Sequence, residues 1–328
     1  MTVATRAFPV MGSEGEVIVV APESRADAEA LADQAVARLR ALEVRWSRFL
    51  PDSEISRCNA VADVPVLVSP ETYRLVELGL EGRRMTGGRF DPTLLAQLRA
   101  AGYDRSFEQL VRPGTGETDS IPDRRERAGP EGGATSDAAP SPGPPPAIVL
   151  DPIVGSVSCG RGAMFDPGGI GKGFAADLVV DELGGVGATG VMVSVGGDVR
   201  VEGRAPDGGS WVVAIADPLD RDRERARLYL ESGAVASSWR TKRVWAAPDG
   251  TTRHHLLDPR TGAPAVSGLA GVTVVTGQGW MAEVLAKAAF VAGPAEGADV
   301  IAGAGAAGLL FTDDGDLRPA GDIATFLG

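Results

Sequence analysis

Cysteine and histidine are scarce in this 328-residue chain, which has two of each. Cys58 and Cys159 give no disulfide framework and no metal-ligand spacing, so each is expected to be a small buried apolar residue rather than a reactive thiol. His254 and His255 are adjacent, and on a strand their imidazoles would point to opposite faces, which argues against a shared ion. Basic charge is in deficit. The net charge of -12 argues against a nucleic-acid partner, because phosphate contacts need a basic face. No run approaches the roughly 18 apolar residues of a membrane span. Met1 to Val10 lacks the charged region and apolar stretch of a signal peptide, so a cytoplasmic location is expected. What the chain does have is 44% hydrophobic residues, enough for one large domain or two fused lobes.

Glu16 to Val20 reads as a strand, followed by a helix from about Ser24 to Trp46 with Ser24 as its N-cap. Leu31, Ala35, Leu39, Leu42 and Trp46 recur there at helical spacing. A second helix is expected over Pro70 to Arg84 and a shorter one from near Pro92. After Ile148, strand signals at 154–157, 190–195, 211–215, 234–237 and 271–276 interleave with helices at 172–183, 279–292 and 295–304. The expectation is an α+β fold without the regular alternation of a doubly wound sheet. From Arg112 to Pro146 the composition turns to Gly, Pro, Ser, Asp and Glu. This is read as a disordered insertion, with nothing to offset its ordering entropy.

Gly185 to Gly190 has the spacing of a dinucleotide fingerprint, but it leaves a helix and enters a strand, the reverse of what that motif requires. Around Gly171-Lys172-Gly173, Asp166 and Gly173 break the Walker pattern. Two segments survive as candidates. Asp166-Pro-Gly-Gly-Ile-Gly-Lys172-Gly173 opens a helix, where glycines permit close backbone approach and free N–H groups favour an anion; a tight turn before an ordinary helix fits equally well. His255-Leu-Leu-Asp258-Pro-Arg-Thr-Gly262 is good turn chemistry, and it also puts His255 at a strand end as a possible proton acceptor.

With four further segments these form an ordered series: Met11-Gly12-Ser13, Asp52 to Asn59 (Asp-Ser-Glu-Ile-Ser-Arg-Cys-Asn), Gly88-Arg-Phe90-Asp91-Pro-Thr93, and Gly196-Gly197-Asp198. In order and spacing the series resembles the flavin transferases of the ApbE type, over most of the chain outside the insertion. The resemblance implies an α+β fold with mixed sheets and helices in two lobes around a flavin cleft, formed by residues 1–111 and 148–328 with the insertion 112–147 between them. It implies an enzyme that cuts FAD, attaches FMN to a threonine hydroxyl of an acceptor protein and releases AMP. By position, Met11, Phe49, Phe90, Asp91, Asp166, Lys172, His255 and Asp258 would form the FAD site, with His255 beside the transferring phosphate. Magnesium would be held by the Gly169 carbonyl and by side chains of the helix after Thr276.

The chain departs from the family on that helix. An Ala-Asp-x-x-x-Thr pattern is expected, and Ala282-Glu283-Val-Leu-Ala-Lys287 is found. Glu283 keeps an oxygen ligand, whereas a protonated Lys287 cannot bind a metal. Two readings stay open: Lys287 takes the cation's place against the pyrophosphate, or the two residues form an ordinary i, i+4 pair worth about 0.2–0.5 kcal/mol and the metal site is lost. A family Thr-Ser-Gly is replaced by Ser237-Ser238-Trp239, where Trp239 would crowd the pyrophosphate. The alternatives to transfer are a non-catalytic FAD-binding protein and an FAD pyrophosphatase. Gly133-Ala-Thr135-Ser136 resembles the acceptor sequence itself, which would make Thr135 a site of self-modification. Members of the family are often exported or lipid-anchored, so the absent signal is a further departure.

Overall fold

Along Ser13–Ala21, Glu14 and Glu16 alternate with buried Gly15, Val17 and Val19, the pattern of a strand with one face on a core. The computed structural model describes residues 1–21, 24–110, 147–247 and 250–328. It makes this strand the second of eight in one sheet. The spatial order is Thr2–Val10, Ser13–Ala21, Gly190–Val195, Asp198–Gly203, Ser232–Trp239, Leu269–Thr276, Ala307–Thr312 and Leu317–Ala320. The α+β class holds, and every ladder between these strands is antiparallel.

Helices Arg25–Trp46, Gly171–Gly185, Gly279–Ala292 and Pro294–Gly303 pack on one face of the sheet. The largest core lies there, with Leu39, Leu42, Phe165, Val179 and Val284 fully enclosed. It draws on residues before and after the expected insertion, so the two flanking segments fold together. On the opposite face the Trp211–Ala216/Glu224–Leu230 hairpin buries Trp211, Ile215 and Leu228 against Val201 and Phe311. A separate small core joins Leu98, Ala101 and Tyr103 to Trp245 and Leu257, and a cleft opens between it and the main core.

Local sequence accounts for most element boundaries. Ser24 and Asp27 form a capping box at Arg25–Trp46. The short helix expected near Pro92 starts only at Leu95, because Asp91 first folds a turn by accepting from the Thr93 N–H and hydroxyl. The strand expected at 154–157 runs over Ser156–Cys159, since Asp151 accepts from the N–H groups of Ile153 and Val154 and bends the chain there. The nine-residue edge strand Thr2–Val10 and the helix Glu54–Ala60 lie outside the expected elements. Cys58 and Cys159 are both buried and unpaired, and burial pushes the Cys58 thiol up to about 12. Among the described residues no helix is long and apolar enough to cross a membrane. The expected insertion lies outside the described residues except for Ala147, and so does Thr135.

A close backbone junction joins the starts of two helices. Gly173 and Gly279 touch backbone to backbone: a Cβ on Gly279 would sit 2.6 Å from the Gly173 carbonyl oxygen, and one on Gly173 would collide with the Gly279 carbonyl. Each helix then caps the other. Asp177 accepts from the N–H groups of Gly279 at 2.7 Å and Trp280 at 3.0 Å, and Glu283 accepts from the Gly173 N–H at 2.8 Å. Helix propensity alone would make Gly173→Ala stabilising by roughly 1 kcal/mol. The collision is expected to reverse the sign, giving a loss of about 1–3 kcal/mol in urea unfolding; a more stable variant would contradict this packing.

Candidate active site

The cleft holds a cavity of ≈ 550 Å³, within the size range of small-molecule sites. Four tight local structures shape it: three supply lining residues, and one, a turn at Gly196-Gly197, stands behind Lys172. Hairpin turns at Met11-Gly12 and Gly196-Gly197 join strands directly, and all four residues have positive φ, as type I′ turns require. Met11 adopts this conformation without being glycine, and its N–H donates to Glu43 Oε1 at 2.6 Å. Asp91 closes the third structure, its second oxygen taking Arg83 Nε at 2.8 Å. The fourth is the Asp166 to Gly173 loop.

The loop is held from outside. Asn59 accepts from the Phe165 N–H and donates to the Phe165 carbonyl, both at 2.8 Å, and the Asp166 N–H donates to the Pro92 carbonyl at 2.7 Å. Phe90 closes it from below, since a Cβ on Gly169 would lie 2.8 Å from Phe90 Cε2. The Asp52 to Asn59 and Gly88 to Thr93 segments therefore position the loop as well as forming its surroundings.

The cavity has an aromatic side. The Arg48 guanidinium lies 4.6 Å from the ring centroids of both Phe49 and Tyr103, within cation–π range. It reaches Asp166 Oδ1 at 3.6 Å, and Arg243 donates to the Tyr103 hydroxyl at 2.6 Å. The other side is ionic. Lys172 donates to Asp198 and, at 2.5 Å, to Glu283 Oε1. Lys287 Nζ lies 3.3 Å from the Glu283 carbonyl oxygen and 3.4 Å from Oε1, and Lys242 donates to the Gly196 carbonyl. Burial opposes the Lys172 charge, but Asp198 and Glu283 outweigh it and raise its pKa above the ordinary value. For Lys287 and Lys242 burial prevails and lowers the pKa, with Lys172 adding repulsion.

His255 lines the cavity and His254 does not. Burial, with Arg243 and Lys287 nearby, holds the His255 pKa well below 6.5. Its ring is neutral at pH 7, and Nδ1 is enclosed without a hydrogen-bond partner. A neutral, largely enclosed imidazole beside the Arg243 guanidinium and the Lys287 ammonium has the chemistry of a proton acceptor.

Met11, Phe49, Phe90, Asp91, Asp166, Gly169, Lys172 and His255 all line this one cavity. Asp258 does not: its carboxylate engages the backbone and side chain of Arg260 and shapes the turn. Trp239 also stays out of the lining, against the expected crowding, because its indole packs over Gly271 of the neighbouring strand. The residues do not fit a divalent metal. Glu283 is fully enclosed, and its oxygens serve Lys172, Lys287 and the Gly173 N–H. Among the described residues, no three His, Cys, Asp or Glu side chains are grouped to hold one. Arg48, Tyr103, Arg243 and the role of Asp198 were missed from sequence. The Arg48-Phe49 pair and the position of Asp198 directly after two glycines were the available signals.

A cleft with one aromatic side, one ionic side carrying Lys172 and Lys287, and a glycine-rich helix start has the chemistry to take an anionic ligand with flat rings. Residues 11–310 match the ApbE family, and the chain belongs to that family. It is 28% identical over 292 residues to the FAD:protein FMN transferase of Vibrio cholerae, covering 88% of this chain and 81% of that protein. With the Treponema pallidum protein of the same name it shares 27% over 299 residues, covering 88% and 78%. The structure superposes on the ApbE protein of Thermotoga maritima with a TM-score of 0.78 at 24% identity, covering 99% of both chains. For the flavin transferase ApbE of Vibrio cholerae the TM-score is 0.77 at 24% identity, again with 99% coverage of each.

The state of His255 can be measured directly. A folded pKa below the unfolded value means that neutral His255 favours folding above about pH 6.5. That contribution is lost as pH falls from there toward the folded pKa. Proton NMR resolves the two histidines once His254→Gln assigns them. The His255 ring signals are expected to titrate below 6.5, and a midpoint at or above it would contradict the buried, neutral ring.

Proposed function

We propose that this chain is an FAD:protein FMN transferase. The observation that best supports the reading is the meeting of the Asp166 to Gly173 loop, Lys172 and His255 on one cavity with an aromatic side. FAD needs such a combination, with rings to stack and a diphosphate to neutralise. Family membership and the activity for which the Vibrio and Treponema relatives are named support the same reading. Residues 1–111 and 148–328 form the transferase unit, with 112–147 inserted in it.

In this reading the flavin lies toward Phe49, Tyr103 and Arg48. The diphosphate meets the loop N–H groups and Lys172, which hold its negative charge as the transition state develops. Met11, Phe90, Asp91 and Asp166 fix the walls. An acceptor threonine Oγ attacks the phosphorus on the FMN side and gives its proton to neutral His255. The new P–O bond forms as the bridging P–O bond breaks, and AMP leaves with the bridging oxygen. The magnesium ion that the family resemblance implies would supply charge neutralisation at the diphosphate, but the Glu283 oxygens that would hold it are already engaged.

Incubation with FAD and a peptide carrying Gly-Ala-Thr-Ser tests the proposal, with AMP followed by chromatography and both peptide and enzyme by mass spectrometry. Transfer predicts AMP in equal amount to FMN bound covalently to peptide threonine or to Thr135. His255→Ala is expected to slow this by about 10²–10⁴-fold with FAD still bound. AMP and free FMN without an adduct would identify a hydrolase, and bound FAD without AMP a binding protein; either result would overturn the transferase reading.

A further inference from the structure

The two lysines on the ionic side of the cavity are not equivalent. Lys172 is committed, with Asp198 and Glu283 both accepting from its ammonium. Lys287 makes only long contacts, at 3.3 Å and 3.4 Å, both to Glu283, although an ammonium offers three donors. It lines the same cavity. Its stem is fixed beside the loop, since a Cβ on Gly169 would lie 3.5 Å from Lys287 Cδ. The ammonium is therefore held next to the loop and has donor capacity to spare.

The local charge balance points the same way. Lys172, Lys242 and Lys287 all act on Asp198, and the carboxylates in direct contact with this group are Asp198 and Glu283. Three ammonium groups against two carboxylates leave positive charge at the edge of the cavity. A divalent cation entering here would meet repulsion from Lys287 and find the oxygens of Glu283 already engaged. A dianionic ligand would meet a fixed positive charge that needs no ion to complete it.

We infer that Lys287 is the built-in cation of this cleft, neutralising the diphosphate of the bound dinucleotide in place of a divalent metal. The inference rests on the reading of the ligand as FAD. It makes FAD binding independent of metal, and it assigns Lys287 to direct contact with the ligand rather than to a helix-surface ion pair.

Titration of FAD into the full chain, followed by flavin fluorescence, compares buffer containing EDTA with buffer containing excess magnesium. The two dissociation constants are expected to agree within about twofold. Lys287→Met keeps the length of the stem and removes the charge. With an unchanged melting curve, it is expected to weaken binding by about ten- to a hundredfold in both buffers. Native binding that tightens about tenfold or more with magnesium would overturn the inference and leave the FAD reading standing. Native-like affinity in folded Lys287→Met would do the same. No FAD binding by the native chain in either buffer would overturn the FAD reading and the inference with it.

Discussion

The structure depends on two helices that cap each other. Asp177, on the Gly171–Gly185 helix, takes the first N–H groups of Gly279–Ala292, and Glu283 returns the bond to Gly173. Free N–H groups at a helix start are costly when buried without partners, and here each helix supplies the other's acceptor. The exchange requires the backbones to touch, and glycine at both 173 and 279 allows it. Once the two starts are locked, Lys172 and Lys287 are brought to the same carboxylate. The loop before Lys172 is then aimed into the cleft.

This arrangement explains how an acidic protein can offer an anion site. A net charge of -12 acts over the whole surface, and salt screens it beyond about 8–10 Å. Within the cleft the relevant charges are a few contacts apart and largely shielded from water, so they interact far more strongly. Removing Lys172, from which both Asp198 and Glu283 accept, would leave buried carboxylates unpaired and cost about 3–5 kcal/mol, whereas Lys287 makes only long contacts. The cluster is therefore both a ligand site and part of the junction between the helices.

What could be read in the sequence was the chemistry that stays local. Ser24 with Asp27 and Asp91 with Thr93 act over two or three residues; Ser24 was legible as an N-cap and Asp91 as part of a motif. The Glu283–Lys287 pair was also visible, being one helical turn apart. The partners that decide its meaning were not: Gly173 lies 110 residues away from Glu283, and Lys172 lies 111 away. Arg48 and Arg243 were passed over for the same reason, because each acquires its role only where Tyr103, distant in sequence, meets it in the fold. Trp239 shows the complementary limit. Its size was plain from the sequence, but its direction was set by the space over Gly271. Asp258 sat in a matching motif, yet Arg260 takes its carboxylate before it can face the cavity.

The most direct test is a crystal structure of the chain with FAD, grown in the presence of a metal chelator. The account predicts the flavin against Phe49, Tyr103 and Arg48, with diphosphate oxygens within hydrogen-bond distance of Lys287 Nζ and the loop N–H groups. A diphosphate lying away from Lys287, or one ordered there only when a divalent cation is added, would contradict it.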